Sequence, residues 1–240
     1  MLKVQICLPV YNEIHPGTVR GIRACLQSPV ALGVDFHLSM IQSSNICHAR
    51  NFLLNEDRSF KYRQEPLEGF DYFLFVDSDI SFTLADAMKL LSHRAPVVSG
   101  LYFEKSEPMK SVAGFWELDE KSEPIRGKKG DTLAAGIKGA VEVDYVGAGF
   151  LLIARQVLGE LHYPWFNQVP CTVPGTAEEL PIGEDMGFCI GCNEAGIPIL
   201  CDMDAKLGHH ISRLTDYFDA LHYLSRVKLG REVEAPVAGW

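Results

Sequence analysis

Four short apolar runs, separated by amphipathic stretches, constrain the fold more than any other feature of this sequence. They are residues 4–10 (VQICLPV), 35–41 (DFHLSMI), 72–76 (YFLFV) and 96–102 (PVVSGLY). Their length and β-branched or aromatic content predict strands. The stretches between them predict helices over residues 18–27, 45–55 and 83–93. Thr18 and Thr83 stand at N-cap positions, and Val19, Ile22 and Leu26, then Ile46, Ala49, Phe52 and Leu53, mark the inward faces. Strands that are continuously apolar, rather than alternating, are covered on both faces. The pattern therefore predicts an α/β fold, with a mostly parallel central sheet flanked by helices. Ligands of such sheets bind beyond the carboxyl ends of the strands. Tyr11-Asn12-Glu13 and Asp77-Ser78-Asp79 both follow strands, so both are expected on that edge.

The second half is less regular. Residues 104–139 are charged and glycine-rich and read as hairpins and a loop over the sheet edge. Residues 141–154 read as strand, glycine turn, then strand or helix. Residues 162–183 read as a long functional loop. A helix over 185–195, ended by Gly196, and a strand over 197–201 follow. An amphipathic helix over 214–229 carries Leu214, Phe218, Leu221 and Leu224 on one stripe. It is expected to dock on the domain, leaving room for a second copy of the chain or a membrane face. With no repeat or linker, residues 1–240 read as one domain: a nucleotide-binding half (1–103), an acceptor and catalytic half (104–213), and a C-terminal helix and tail (214–240).

Composition narrows the partners. Asp and Glu outnumber Lys and Arg by 31 to 22, and the net charge is −9. An acidic chain is poorly suited to a nucleic-acid backbone. The N-terminus has no signal-peptide core and no apolar stretch is long enough to span a bilayer, which reads as a soluble, cytoplasmic protein. Seven scattered cysteines read as reduced, mostly buried thiols, and Cys189 and Cys192 as core-facing residues of one helix.

Asp77 and Asp79, one residue apart after a strand, can aim at one point. Carboxylates so close repel unless a cation such as Mg²⁺ or Mn²⁺ neutralises them; the alternative is a pair of turn aspartates capping the next helix. Glu184-Asp185 before a helix can supply a general base, or merely complement the helix dipole. His209 or His210 can complete a metal site. Ser43, Asn45 and Arg50, near a helix start, can hold phosphate or base atoms, or simply cap the helix.

The order of these pieces resembles the glycosyltransferases of the GT-A fold, most closely the large inverting group called family 2. Pro9, Tyr11 and Asn12 match its opening strand and nucleotide loop, which continues to Glu13. Ala49-Arg50-Asn51 matches its ARN helix, and Asp77-Ser78-Asp79 its DxD motif. Gly100 and Gly147-Ala148-Gly149 look like its later strands, Glu184-Asp185 like its ED motif, and Gly196 like the glycine ending that helix. The likeness runs from about Lys3 to His210.

The resemblance implies a divalent metal on Asp79, with Asp77 on the metal through water or on the ribose. It implies Asp185 as catalytic base with Glu184 supporting it, and His209 as third ligand with His210 the alternative. The expected donor is a nucleotide-diphosphate sugar and the acceptor a glycan or small molecule. Where the family usually carries an acidic residue that holds the base, this chain has Gln42-Ser43-Ser44; uridine is the family's usual base and guanosine the alternative. Trp116, Trp165 and Phe166 can stack on sugars or anchor loops. The competing readings are a nucleotidyltransferase, which would open with a basic glycine-rich loop, and a binding relative without turnover, which has no need of the full carboxylate and histidine set.

Overall fold

The computed structural model describes the chain except residues 29, 56–64, 106–109, 123, 134–136, 173–178, 206 and 211–240. The helix expected over 214–229 lies outside the described residues.

In chain order the first half runs β1 (Leu2–Val10), α1 (Pro16–Leu26), β2 (Val34–Gln42), α2 (Ile46–Leu54), β3 (Tyr72–Val76), β4 (Ile80–Ser81), α3 (Leu84–Ser92) and β5 (Val97–Gly100). The second runs β6 (Gly114–Leu118), β7 (Pro124–Thr132), β8 (Ala140–Val143), β9 (Phe150–Ala154), α4 (Arg155–Glu160), β10 (Val169–Thr172), β11 (Glu179–Ile182), α5 (Glu184–Glu194), β12 (Ile199–Asp202) and β13 (Gly208–His209).

Seven strands form the central sheet in the order β2-β1-β3-β9-β5-β12-β8. The β1–β2, β1–β3 and β5–β12 pairings are parallel; β3–β9, β5–β9 and β8–β12 are antiparallel. The sheet is thus mixed, not mostly parallel. The departure comes from β9, which inserts between β3 and β5 against their direction, and from the edge strand β8.

Alternate residues of each central strand feed opposite cores. Phe73, Phe75, Leu151 and Ile153 join Leu53 of α2, Val157 of α4 and Phe188 of α5. Leu74, Val76, Phe150 and Leu152 join Ile22 of α1 and Leu90 of α3. Burial on both faces explains the unbroken apolar runs of β1, β3 and β5, and each buried side chain contributes about 1.5–3 kcal/mol by leaving water. The run over 35–41 departs from this, because β2 is the edge strand and leaves Leu38 and Met40 exposed.

Local chemistry sets the helix starts. His15, not Thr18, caps α1: its Nδ1 accepts from Gly17 N–H, and Pro16 fills the first turn. Asn45 caps α2, and Thr83 with Asp86 forms a capping box on α3. The long second-half segments fold as two ribbons, β6–β7 and β10–β11. Cys189 and Cys192 are buried on α5, and the seven cysteines form no disulfide with one another. No described helix is long and apolar enough to cross a membrane.

Candidate functional site

The carboxyl ends of β1, β2, β3 and β5 meet the start of β9 and the N-terminus of α5 at one edge of the sheet. Asp77 leaves β3 there, and its N–H donates to the Gly149 carbonyl at 2.9 Å, so the Asp-Ser-Asp turn is tied to the glycine turn before β9. The turn is held from below by α1. His15 N–H donates to the Ser78 carbonyl at 2.8 Å, and the buried Thr18 hydroxyl reaches the Ser78 and Ile80 carbonyls at 3.1 and 2.8 Å. Thr18 therefore braces the turn rather than capping a helix.

Arg50 is the organising charge. Its side chain is 4% exposed, and Nη2 donates to both Asp77 oxygens, at 2.9 and 3.2 Å. Nε lies 3.2 Å from Glu184 Oε1, an ion pair that lacks hydrogen-bond geometry. The guanidinium lies beside a T-shaped pair of rings, Phe75 and Phe166, 5.7 and 5.6 Å from their centroids. Next to it, Asn51 donates to the Phe166 carbonyl at 2.6 Å and accepts from Phe166 N–H at 3.2 Å. Helix α2 thus fixes both the turn after β3 and the approach to α5. Arg50 is turned to protein carboxylates rather than to an open pocket.

Electrostatics follow from this burial. Loss of water raises the Asp77 carboxyl above its usual range; Arg50 opposes the rise, while Asp79 and Asp185 add to it. Glu184 is raised for the same reasons, burial first, with Arg50 opposing and Asp185 adding. Burial works against the Arg50 charge, but Asp77, Glu184 and Asp185 outweigh it and hold its proton more firmly.

Asp79 lies between two other groups. A short ribbon, β13 against β4, brings His209 opposite Ile80. His209 Nε2 stands 3.7 Å from Asp79 Oδ1, and its Nδ1–H donates to the Phe103 carbonyl at 2.7 Å. That bond turns Nε2 toward Asp79, an orientation typical of ligating imidazoles. The Lys105 ammonium pairs with Asp79 Oδ2. His210 turns the other way: it hydrogen-bonds Ser81 and stacks on His15 at 3.2 Å between centroids, while its backbone N–H donates to the Asp79 carbonyl. Among the described residues no group of three or more His, Cys, Asp and Glu side chains is gathered to hold a metal ion. Asp79 Oδ1 and His209 Nε2 face each other, His210 lies apart from them, and both Asp77 oxygens accept from Arg50.

Cavities flank this centre. One of about 250 Å³ is lined by Pro9, Tyr11, Ser43, Ser44, Asp77 and Asp79. Tyr11 is 64% exposed beside it, and Asn12 and Glu13 follow on the surface. Asn45 is used differently, accepting from His48 N–H as the α2 cap. The second cavity, about 330 Å³, is lined by Asp185, Tyr102, Lys105, Lys129, Gly147 and His209. Asp185 Oδ1 accepts from Met186 N–H at 2.8 Å, which fixes its carboxylate at the helix start. Larger clefts of about 500, 440 and 430 Å³ are lined by none of the candidate carboxylates and histidines or Arg50. Trp116, Trp165 and Phe166 are 6%, 3% and 0% exposed, so these rings anchor their loops and offer no face to a sugar.

Sequence reasoning missed Lys105, Lys129 and Tyr102. The lysines sit among many charges in a polar segment. Tyr102 ends an apolar strand and reads as core, yet its hydroxyl accepts from Gly149 N–H at 2.8 Å, and burial pushes that phenol well above its usual value.

No family model matches the sequence, and no curated protein matches it. Among solved structures, the chain is similar to protein A197 of STIV, with a TM-score of 0.50 and 17% identity over 90% of this chain and 100% of that one. It is also similar to a mutant of Drosophila beta-1,4-galactosyltransferase 7 solved with manganese, UDP-Gal and xylobiose. That likeness has a TM-score of 0.43 and 12% identity over 98% of this chain and 76% of that one. At 17% identity the first likeness speaks to the fold alone, and at a TM-score of 0.43 the second supports no inference.

Proposed function

We propose that this protein is a metal-dependent glycosyltransferase of GT-A type. It moves a sugar from a nucleotide-diphosphate sugar to an acceptor hydroxyl, with inversion at the anomeric carbon. The observation that carries the reading is convergence. Residues as far apart as Arg50, Asp77, Asp79, Asp185 and His209 meet at one sheet edge between two cavities. The Arg50–Asp77 pair also serves the fold; the gathering of Asp79, Asp185 and His209 around it is what donor and acceptor chemistry calls for.

Charge supports a divalent ion. Asp77, Asp79, Glu184 and Asp185 are accompanied by the cations Arg50 and Lys105. A diphosphate arriving at that edge would meet excess negative charge. Asp79 Oδ1 and His209 Nε2 offer a hard oxygen and an imidazole nitrogen. Two protein ligands suit Mg²⁺ or Mn²⁺, whose remaining positions are usually filled by substrate phosphate and water. Asp77 would orient the site from Arg50's grip and contact the ribose or the ion through water. When bound, the ion would supply Lewis-acid stabilisation of charge on the departing phosphate.

The chain's own residues do the rest. The Tyr11 ring and the Ser43 and Ser44 hydroxyls receive the nucleoside in the first cavity, against Pro9 and beside Asn12 and Glu13. The acceptor sits in the second, where Asp185 takes its hydroxyl proton. The freed oxygen bonds to the anomeric carbon as the carbon–oxygen bond to the β-phosphate breaks, and the electron pair leaves with the nucleoside diphosphate. With the base on one side of the sugar and the leaving group on the other, the configuration inverts. Glu184, held by Arg50, fixes the start of α5 and so the direction of Asp185. The cytoplasm remains the proposed setting, with room for a homodimer.

A panel of UDP- and GDP-sugars with Mn²⁺ tests this reading through release of the nucleoside diphosphate. At least one donor is expected to turn over. Asp185→Asn should lower the rate by about 10²–10⁴-fold, the usual range for loss of a general base, and Asp79→Ala should abolish it. Equal turnover by all three proteins overturns the proposal.

A further inference from the structure

Lys105 stands where the chemistry of the site least expects a lysine. Its ammonium holds one oxygen of Asp79, while His209 faces the other. Both neighbours are set by one hairpin. Phe103 bridges to Ser111, and Glu104 N–H donates to the Lys110 carbonyl at 2.8 Å. The Phe103 carbonyl orients the His209 ring, and two residues later the chain delivers Lys105. On the same hairpin Glu104 pairs with Lys129 at 3.3 Å, so the wall beyond Lys105 carries both signs of charge.

We propose that Lys105 is the resident cation of Asp79. Its ammonium neutralises that carboxylate in the donor-free protein, keeps divalent metal weakly bound, and moves onto the diphosphate when a nucleoside diphosphate arrives. The inference rests on the glycosyltransferase reading of this edge. An ammonium and a divalent ion repel at one carboxylate, so one must leave when the other is tightly held. The Lys105 side chain is 39% exposed on a flexible four-carbon stem, so leaving costs little, and phosphate oxygens offer its hydrogen-bond donors a new partner. Metal and nucleotide therefore bind with positive coupling, and the free protein is protected from holding a metal it cannot use.

Manganese binding by electron paramagnetic resonance, with and without UDP or GDP, tests this without an activity assay. Wild-type protein should bind Mn²⁺ weakly alone and at least tenfold more tightly with nucleotide. Lys105→Met should bind Mn²⁺ alone roughly three- to tenfold more tightly than wild type, a modest gain because both partners are part-exposed. Lys105→Arg, which keeps the charge, should stay near wild type, as should Lys128→Met, which removes a lysine paired with Glu117. Equal or weaker Mn²⁺ binding by Lys105→Met, with nucleotide coupling intact, overturns the role of Lys105 and leaves the cation site standing. No Mn²⁺ uptake by any of the proteins, with or without nucleotide, overturns both.

Discussion

Arg50 keeps its charge at 3% exposure because Asp77, Glu184 and Asp185 surround it. Arg50→Met would leave the part-buried Asp77 and the buried Glu184 without a counter-charge. Burial already raises both carboxyls, and without Arg50 the rise is larger. An acid whose pKa is raised on folding holds its proton more tightly folded than unfolded. Its folded form therefore loses stability as pH climbs from the ordinary carboxylate range through the raised value. Arg50→Met is expected to cost roughly 3 kcal/mol at pH 7.5 and clearly less at pH 5, read from urea unfolding at both; a cost independent of pH would contradict the account. Residues of this kind divide by legibility. Asp79, Asp185 and His209 stand out because their types recur in a recognisable order. Arg50 does not betray its partners, since a basic residue on a short helix reads as solvated, and only tertiary packing against the Phe75 and Phe166 pair buries it.

Among the elements, α1, α2, α3 and α5 and strands β1, β2, β3 and β5 were legible to within a few residues, because apolar period and caps are local signals, whereas the short β4 and α4 were not read. The direction of β9 was not. A strand buried on both faces, as FLLIA is, has the same continuous apolar pattern whichever way it runs. Its insertion is what places Gly149 beside Asp77. The role of Thr18 was hidden too, since its hydroxyl binds carbonyls 60 and 62 residues away. Thr18→Val keeps the shape and removes both bonds. It should lower stability by about 1–3 kcal/mol, the cost of stranding buried polar groups, and weaken Mn²⁺-dependent nucleotide binding by loosening the turn that carries Asp79. An unchanged melting temperature with unchanged nucleotide binding would show that the brace is idle.

For the molecule as a whole, the even spread of apolar residues over two cores leaves five cysteines buried and two, Cys47 and Cys171, part-exposed. Burial pushes the Cys25, Cys192 and Cys201 thiols up to about 12, so at pH 8 they are protonated as well as shielded. Ellman's reagent should modify Cys47 and Cys171 in the native protein and the buried thiols only after unfolding; rapid native reaction of Cys189 or Cys192 would contradict the packing of α5. The central claim is that Asp79 and His209 hold a divalent ion that carries a diphosphate at the sheet edge. Calorimetric titration of UDP and GDP in the presence of Mn²⁺ tests it most directly. The account predicts metal-dependent binding of at least one nucleotide that falls at least tenfold in Asp79→Ala and His209→Ala and persists in His210→Ala; binding that is absent in wild type, or equal in all four proteins, would contradict it.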